Sequence, residues 1–361
     1  MTKQGFTPPP EERQAFASLL YRLSDNRVLG RGPHGEQPTP TGEIGLGRSE
    51  IERVRRLGAS AAILMHYGGN DWSRAQVAGL SSELQTMGIA VRAVTDAGFD
   101  PRQQVADIER ALALGCDVIF SIPTDPVVTA PAYRKASAAG VKLVFMDNLP
   151  DRARAGMEYV SLVSADHVGL GVVSADLMAE ALGGAGEIGL IFHDADFYST
   201  RQRHEAFRAT IAKNYLRIAI VAEVGVSGPA FGADAESAAS ALLEDHPGLG
   251  GIWAVWDVFA EGVVAAARRA GRSDLVVTTT DLGLGVALDL ARGGIVAGVA
   301  AQRPFDQGVA EAELAAYGLL GKQAPAYVAL PALPVSRMSV LQAWESVYHA
   351  PPPTELRQVA D

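Results

Sequence analysis

The 361-residue sequence contains one cysteine, Cys116. A single cysteine excludes an intramolecular disulfide and every zinc or iron–sulfur site built from several cysteine ligands. The sequence also lacks any run of Lys or Arg, and its 31 basic against 41 acidic residues give a formal net charge of −10. We therefore expect no binding to nucleic acid or to an anionic membrane surface.

Long hydrophobic runs are missing as well. No window of about 18 apolar residues occurs, so no segment is expected to insert into a membrane. The first ten residues lack a basic start followed by an apolar core. The chain as written therefore has no recognisable secretory signal.

Motifs of the common enzyme classes are also absent. The sequence has no His-x-x-x-His pair, no nucleophile elbow and no P-loop. Its Gly-Leu-Gly segments at residues 169–171 and 283–285 are not dinucleotide fingerprints. These absences predict a non-enzymatic protein with no cofactor and no metal.

A metal-assisted hydrolase is the enzymatic alternative that the residues leave open. His193, Asp194 and Asp196, beside His66 and Asp71, could be ligands of an oxygen-preferring Mg²⁺ or Ca²⁺ ion. Since no further catalytic motif accompanies them, a binding protein is the favoured interpretation.

The composition that remains is that of a globular protein large enough for two domains, with 48% hydrophobic and 20% charged residues. Residues 1–60 differ from the rest and form an N-terminal extension. It is predicted to hold one amphipathic helix at residues 11–23 and an irregular Gly- and Pro-rich segment at residues 30–47. A DNA-binding headpiece would need about three helices with a basic recognition face, which this extension does not offer.

From residue 61 onward, short continuous apolar runs alternate with helical segments. Short uninterrupted runs are typical of parallel strands buried on both faces, and the first helices stop at Gly88, Gly115 and Gly140. Two consecutive series of such units predict an α/β protein with two doubly wound, Rossmann-like lobes. The strands are predicted at residues 61–67, 89–95, 117–122, 141–147, 159–163, 187–192, 218–223, 251–256, 275–280 and 295–301.

Polar and aromatic residues follow the strands of both series. Because ligands bind beyond the carboxyl ends of parallel strands, a cleft between the two lobes is the expected site. The candidate ligand-binding residues are His66, Tyr67, Asn70, Asp71, Trp72, Asp125, Asp147, Asn148, His193, Asp194, Asp196, Phe197, Arg203, Trp256, Asp257, Asp281 and Gln302.

This mixture of side chains suits a polyhydroxylated ligand. Carboxylates accept hydrogen bonds from hydroxyls, Arg and Asn donate to hydroxyl oxygens, and Trp covers an apolar C–H face. For each Asp the alternative is an N-cap of the following helix, and the Trp residues could belong to the core. Their repetition along one edge of both sheets favours the binding site.

Residues 61–340 resemble the type I periplasmic binding proteins, specifically the ribose-binding-like sugar receptors of ABC importers. The family's Asn, aromatic and Gly pattern matches Asn70, Trp72 and Gly79, and its second-lobe Arg-x-x-small-Phe segment begins at Arg203. The ligand-binding Asp of the family falls on Asp281. The family's fourth-strand turn matches Asp147–Asn148, and its Gln that leads back to the first lobe matches Gln302.

The resemblance implies a receptor that closes by a hinge and delivers its ligand to a membrane permease. Ile122 in place of Asn, Trp256 in place of Asn and Asn148 in place of Arg argue against ribose itself. They favour another neutral polyol, branched sugar or pentose. The alternative on the same fold is a ligand sensor or regulatory receptor.

The resemblance also implies a monomer outside the cytoplasm and three crossings between the lobes. The crossings are expected near residues 164–166, 301–303 and 325–330. The first lobe would then comprise residues 61–164 with 302–325, the second residues 165–301 with 326–349, and a tail residues 350–361.

Overall fold

The computed structural model describes residues 27–360 and contains two sheets flanked by helices. The helix predicted at residues 11–23 lies outside the described residues. Numbered in chain order, the strands of the first sheet run in the spatial order β1-β12-β6-β5-β4-β2-β3, all parallel. They are β1 (Thr39–Pro40), β2 (Ser60–Met65), β3 (Ala90–Asp96), β4 (Val118–Ser121), β5 (Lys142–Met146), β6 (Ser161–Ala165) and β12 (Tyr327–Leu330).

The second sheet has the order β13-β11-β10-β9-β7-β8, and only its short strand β13 is antiparallel to its neighbour. Its strands are β7 (Gly186–His193), β8 (Ile218–Val226), β9 (Gly251–Ala254), β10 (Val276–Thr280), β11 (Val296–Ala301) and β13 (Leu333–Val335). Two parallel sheets with interleaved helices confirm the predicted fold class.

Helices cover both faces of each sheet, as buried parallel strands require. Those of the first lobe are α1 (Arg48–Leu57), α2 (Asp71–Thr86), α3 (Pro101–Ala113), α4 (Ala130–Ala138) and α10 (Pro304–Leu320). Those of the second are α5 (His167–Ala181), α6 (Tyr198–Asn214), α7 (Phe231–Asp245), α8 (Asp257–Ala270), α9 (Leu284–Arg292), α11 (Val340–Tyr348) and α12 (Thr354–Ala360).

The glycines predicted to end helices adopt the backbone that this role requires. Gly88, Gly115 and Gly140 follow α2, α3 and α4 with φ of 68°, 66° and 90°. Gly79, by contrast, serves close packing: a Cβ there would overlap the carbonyl oxygen of Phe305 in α10. The first lobe is thus held together by direct contact between α2 and α10.

Three features correct the predicted organisation. Helix α1 lies within the extension, where only the helix at residues 11–23 and an irregular segment were expected. Strand β12 pairs with β6 of the first sheet, so the predicted second-lobe boundary at residue 326 is wrong and the chain crosses after Leu330. The predicted tail contains α12, whose Leu356 is fully buried in the second-lobe core.

The chain passes between the lobes three times: between β6 and α5, between β11 and α10, and between β12 and β13. The first crossing is tied to the N-terminal segment. The carboxylate of Asp166 accepts the backbone N–H groups of Leu29 and Gly30, at 2.6 and 2.9 Å, and that of Gly169 in α5 at 2.9 Å. None of the helices within residues 27–360 has the length and apolar character that crossing a bilayer demands.

Candidate ligand-binding site

The carboxyl ends of the two sheets face each other across a cleft whose empty space, including the part open to solvent, is about 520 Å³. The cavity is lined by His66, Tyr67, Asn70, Trp72, Phe99, Ile122, Asp147, His193, Phe197, Ser199, Thr200, Arg203, Trp256, Asp281 and Gln302.

Most of the residues proposed from the sequence therefore meet in one place. The structure adds Phe99, Ser199 and Thr200, which were not among them, and Ile122, which was noted only as a departure from the family pattern. Ser199 and Thr200 lie in the first turn of α6, two and three residues after the predicted site residue Phe197. Their position next to that segment was the signal that could have found them.

Arg203 organises the second-lobe wall of the cavity. Its Nη1 donates to Oδ2 of Asp281 at 3.1 Å, to the hydroxyl of Thr280 at 2.7 Å and to the carbonyl of Val255 at 3.2 Å. Oδ1 of Asp281 accepts from Nε2 of Gln302 at 2.6 Å. The arginine and the aspartate thus offset each other's charge while remaining in the cavity wall.

Asp147 is the buried carboxylate of the first-lobe wall. Its Oδ1 accepts from the hydroxyl of Ser164 at 2.8 Å, the backbone of Ala165 at 3.2 Å and Nε2 of His167 at 3.0 Å. Burial alone would raise the pKa of Asp147, but His167, Ser164 and the nearby Arg203 lower it below its ordinary value. Asp147 is therefore an anion whose Oδ1 is held in place.

His167 joins the two walls. Its Nδ1 accepts a hydrogen bond from Nε of Arg203 at 3.1 Å, so the proton of the neutral ring is on Nε2, which donates to Asp147. Burial lowers the pKa of His167, which agrees with this neutral tautomer. A continuous polar chain therefore runs from Asp147 through His167 and Arg203 to Asp281.

Two further histidines line the cavity as neutral rings. Burial lowers the pKa of His66 to about 3 and that of His193 to about 4. Nδ1 of His66 and Nε1 of Trp72 are buried and have no hydrogen-bond partner within residues 27–360, and the same holds for Oε1 of Gln302. Buried polar atoms are nearly always paired, so these three point to a polar ligand.

Asn70 both caps a helix and lines the cavity. Its Oδ1 accepts the backbone N–H of Ser73 at 2.9 Å, the N-cap contact of α2. This contact leaves its Nδ2 as the group available to a ligand. Asn70 is thus both the N-cap of α2 and part of the cavity wall.

Four predicted site residues make local contacts away from the cavity lining. The carboxylate of Asp125 accepts the backbone N–H groups of Val127 and Val128, both at 2.8 Å, and Asn148 donates to the carbonyl of Pro123 at 2.8 Å. Asp194 is exposed, and Asp196 forms an exposed ion pair with Arg201 at 2.7 Å. Asp125 thus stabilises its own turn, and none of the four residues lines the cavity.

Asp71 and Asp257 lie beside the cavity without lining it. Oδ2 of Asp71 accepts the backbone N–H of Leu284 from the opposite lobe at 2.8 Å. Asp257 is buried and accepts the backbone N–H of Val258 at 2.9 Å. Burial, then the negative charges of Asp281 and Glu261, raise the pKa of Asp257 well above its ordinary value.

The hydrolase alternative required a cluster of metal ligands around His193, Asp194 and Asp196. Within residues 27–360 no group of three or more His, Cys, Asp or Glu side chains converges in a way that could hold a metal ion. The exposed carboxylates of Asp194 and Asp196 do not line the cavity that His193 faces.

Comparison with known proteins agrees with this geometry. The profile of the family described as "Periplasmic binding protein domain" matches residues 61–323. The chain is 26% identical over 199 residues to a ribose import binding protein of Bacillus subtilis, which is 55% of this chain and 62% of that protein. It is 27% identical over 179 residues to a D-ribose/D-allose-binding protein of Pseudomonas aeruginosa, 49% of this chain and 55% of that one.

The matched stretches thus span less than two thirds of these two curated relatives. Among solved structures, a carbohydrate transporter solute-binding protein of Agrobacterium radiobacter in complex with D-arabinose superposes with a TM-score of 0.72 and 20% identity. The superposition covers 80% of this chain and 98% of that structure. At this identity the likeness concerns the fold.

Proposed function

Because this chain belongs to the periplasmic binding protein family, we propose that it captures a neutral polyhydroxylated small molecule and releases it chemically unchanged. The ligand class is a polyol, a pentose or a related sugar. The receptor belongs to a carbohydrate ABC transporter. Relatives named for ribose and allose support a sugar as the ligand class.

The observation that carries this proposal is that each charged group of the cavity wall is already held by protein partners. Arg203 is paired with Asp281, and Asp147 is held by hydrogen bonds from Ser164 and His167. A charged ligand would disturb these pairs at a large desolvation cost, because the groups are buried. Hydroxyl groups, which donate and accept, can add to the pairs without breaking them.

The unpartnered atoms extend the argument to a ligand with several hydroxyls. Oε1 of Gln302 accepts hydrogen bonds, Nε1 of Trp72 donates them, and Nδ1 of His66 does either according to its tautomer. A single small molecule that satisfies all three needs polar groups on more than one side. The rings of Trp72 and Trp256 supply apolar faces for its C–H groups.

Binding is proposed to proceed by closure of the two lobes about the three crossings. Phe99 of the first lobe and Phe197 of the second have ring centroids 6.0 Å apart, so the described conformation already joins the lobes. A ligand that contacts both walls binds the closed arrangement more tightly than the open one, and this difference in affinity sets how far it favours closure. We propose that a membrane permease binds the closed form of the receptor. The receptor is proposed to be a monomer that acts outside the cytoplasm.

The test is a thermal-shift screen against neutral sugars, alditols, amino acids and divalent cations, followed by calorimetric titration of each hit. A ligand that binds only the folded state raises the melting temperature. Asp281→Asn should lose the response, since it removes the charge facing Arg203. The variant should still fold, because an Asn tolerates the backbone φ of 66° at this position. Asp196→Asn, an exposed residue nearby, is the matched control and should keep the response.

The proposal fails if no sugar or alditol raises the melting temperature, or if Asp281→Asn responds like the unaltered chain. Recovery of the bound compound unchanged, by mass spectrometry, separates a receptor from an enzyme. Turnover of the compound or a response to divalent cations alone would favour the hydrolase.

A further inference from the structure

The charged side chains of the cavity, together with Gln302, lie at the end nearest the lobe crossings. Asp147 follows β5, which is next to the crossing strand β6, while Asp281 follows β10 and Gln302 follows the crossing strand β11. The chain of contacts from Asp147 through His167 and Arg203 links these residues to one another. The hinge end of the cavity is therefore its charged end.

The opposite end of the cavity is aromatic. Tyr67 follows β2 and Phe99 follows β3, the two strands farthest from the crossings in the first sheet. In the second sheet, β7 and β8 are likewise the two strands farthest from the crossings. His193 ends β7, and Phe231 begins α7, the helix that follows β8. The distal end, defined here by the lining residues Tyr67, Phe99, His193 and Phe197 together with Phe231 in contact with them, thus combines rings from both lobes.

Phe99 is the centre of this distal end. Its ring centroid lies 4.8 Å from that of His66, 5.2 Å from that of Phe231, 5.6 Å from that of Tyr67 and 5.8 Å from that of His193. Its backbone φ of 60° is in the left-handed region, which a bulky residue rarely adopts. The surrounding structure must therefore hold Phe99 in this position.

At the distal end, polar atoms of His193 and Thr200 are used by local contacts, whereas Nδ1 of the neighbouring His66 has no partner within residues 27–360. Nδ1 of His193 pairs with the hydroxyl of Thr200 at 3.2 Å, and that hydroxyl donates to the carbonyl of Phe197 at 3.2 Å. A ligand hydroxyl buried against the rings of Phe99 and Phe197, which offer no donor or acceptor atom, would lose its water without compensation. An apolar group of the same size would gain from burial.

We propose that the ligand is a sugar or polyol with an apolar substituent, such as a methyl or methylthio group, at the end that faces Phe99. This inference rests on the proposed function and narrows its ligand class. The hydroxylated part occupies the hinge end with Asp147, Arg203, Asp281 and Gln302. The substituent fills the space between Tyr67, Phe99 and Phe197.

The experiment is calorimetric titration of the full chain with matched sugar pairs that differ at one terminal group. The pairs are L-galactose with L-fucose, L-mannose with L-rhamnose, and D-ribose with its terminally methylthiolated analogue. In at least one pair the apolar analogue should bind about tenfold or more tightly than its parent, because apolar pockets discriminate against an added hydroxyl by up to about a hundredfold.

Variants then locate the preference. Phe99→Ala should collapse the analogue-to-parent affinity ratio to below about threefold, and Phe99→Leu should give an intermediate ratio, since less apolar surface remains. Leu216→Ala removes an exposed apolar side chain of the second lobe and should keep the ratio of the unaltered chain. Circular dichroism of each variant confirms that it folds.

Parents that bind as tightly as their analogues would overturn this inference while leaving the proposed function in place. An affinity ratio that survives both Phe99 variants would overturn it as well. Absence of binding heat with every parent, analogue and alditol would instead contradict the proposed function itself.

Discussion

The backbone N–H of Leu284 in the second lobe donates to Oδ2 of Asp71 in the first, across the cleft, at 2.8 Å. This contact lies outside the cavity lining, so it connects the lobes without touching the space for a ligand. A lobe contact of this kind contributes to ligand affinity through closure alone.

Asp71→Asn should therefore weaken ligand binding about fivefold without changing which ligand binds. The reason is that a hydrogen bond to a charged acceptor is replaced by a neutral one, a difference of about 1 kcal/mol. Calorimetric titration gives the affinity, and small-angle X-ray scattering gives the closed fraction. Asp274→Asn, an exposed position in the second lobe, is the control. An affinity equal to that of the unaltered chain would show that the contact does not contribute to closure.

Glu311 should make the protein less stable as the pH rises. Burial, then the charge of Asp147, raises the pKa of Glu311 well above its usual value, so the folded state holds a proton that the unfolded state releases above about pH 4.5. Stability then falls by about 1.4 kcal/mol per pH unit until the folded-state pKa is passed. Glu311→Gln keeps a neutral acceptor for Gln76 and should flatten this slope.

Scanning calorimetry between pH 5 and 8 measures both slopes. The exposed Glu109→Gln serves as the control and should follow the unaltered chain. Parallel curves for Glu311→Gln and the unaltered chain would mean that Glu311 does not titrate with folding in this range.

The neutral histidines of the cavity should make the protein less stable as the pH falls. His66 has its pKa lowered by burial to about 3, so below pH 6.5 the unfolded state takes up a proton that the folded state does not. Stability is therefore lost as the pH falls from 6.5 towards 3, by about 1.4 kcal/mol per unit.

His66→Phe keeps a ring against Phe197, whose centroid is 5.5 Å away, and cannot take up a proton. This variant should lose less free energy of unfolding per pH unit between pH 7 and 4, as measured by urea unfolding curves. The exposed His34→Gln should leave the slope as it is. A His66→Phe slope as steep as that of the unaltered chain would count against the buried neutral ring.

Arg203→Ala should destabilise the fold itself. Arg203 is 4% exposed and Asp281 7%, and removing one partner of a buried ion pair leaves the other without compensation. The expected loss is about 3–5 kcal/mol in the free energy of unfolding, measured by urea titration. Asp281→Asn breaks the same ion pair, but its side-chain oxygen can still accept a hydrogen bond from Arg203, so it is the milder variant for testing ligand binding. Unchanged stability of Arg203→Ala would mean that the pair contributes little.

Buried strands and their glycine ends were predictable because they depend on local patterns. The runs before His66, Asp147 and Gln302 are continuous and apolar, and the run before Asp281 ends in three β-branched threonines, so the residue after each strand could be placed at the cleft edge. Their position at one edge follows from the fold class. The direction of each side chain does not, which is why Asn148 turned towards Pro123 could not be foreseen.

Features that depend on tertiary contacts were missed. Phe99 lies in a loop, and its position follows from rings that come from both lobes. Strand β12 has an apolar sequence that suits either sheet, and only its pairing with β6 assigns it to the first. Helix α1 has a single buried residue, Val54, and six charged residues among its ten, so it does not contain the apolar run by which the other elements were recognised.

Two residues, Pro331 and Ala332, separate β12 in the first sheet from β13 in the second. A connection of this length spans about 11 Å at most between Leu330 and Leu333, so the ends of the two strands stay close whatever the lobes do. Opening is therefore restricted to rotation, and no long loop loses conformational freedom when the cleft shuts. Because little chain entropy is lost on closure, a weakly held ligand can still be retained, and its dissociation rate depends mainly on the contacts that the two walls make with it.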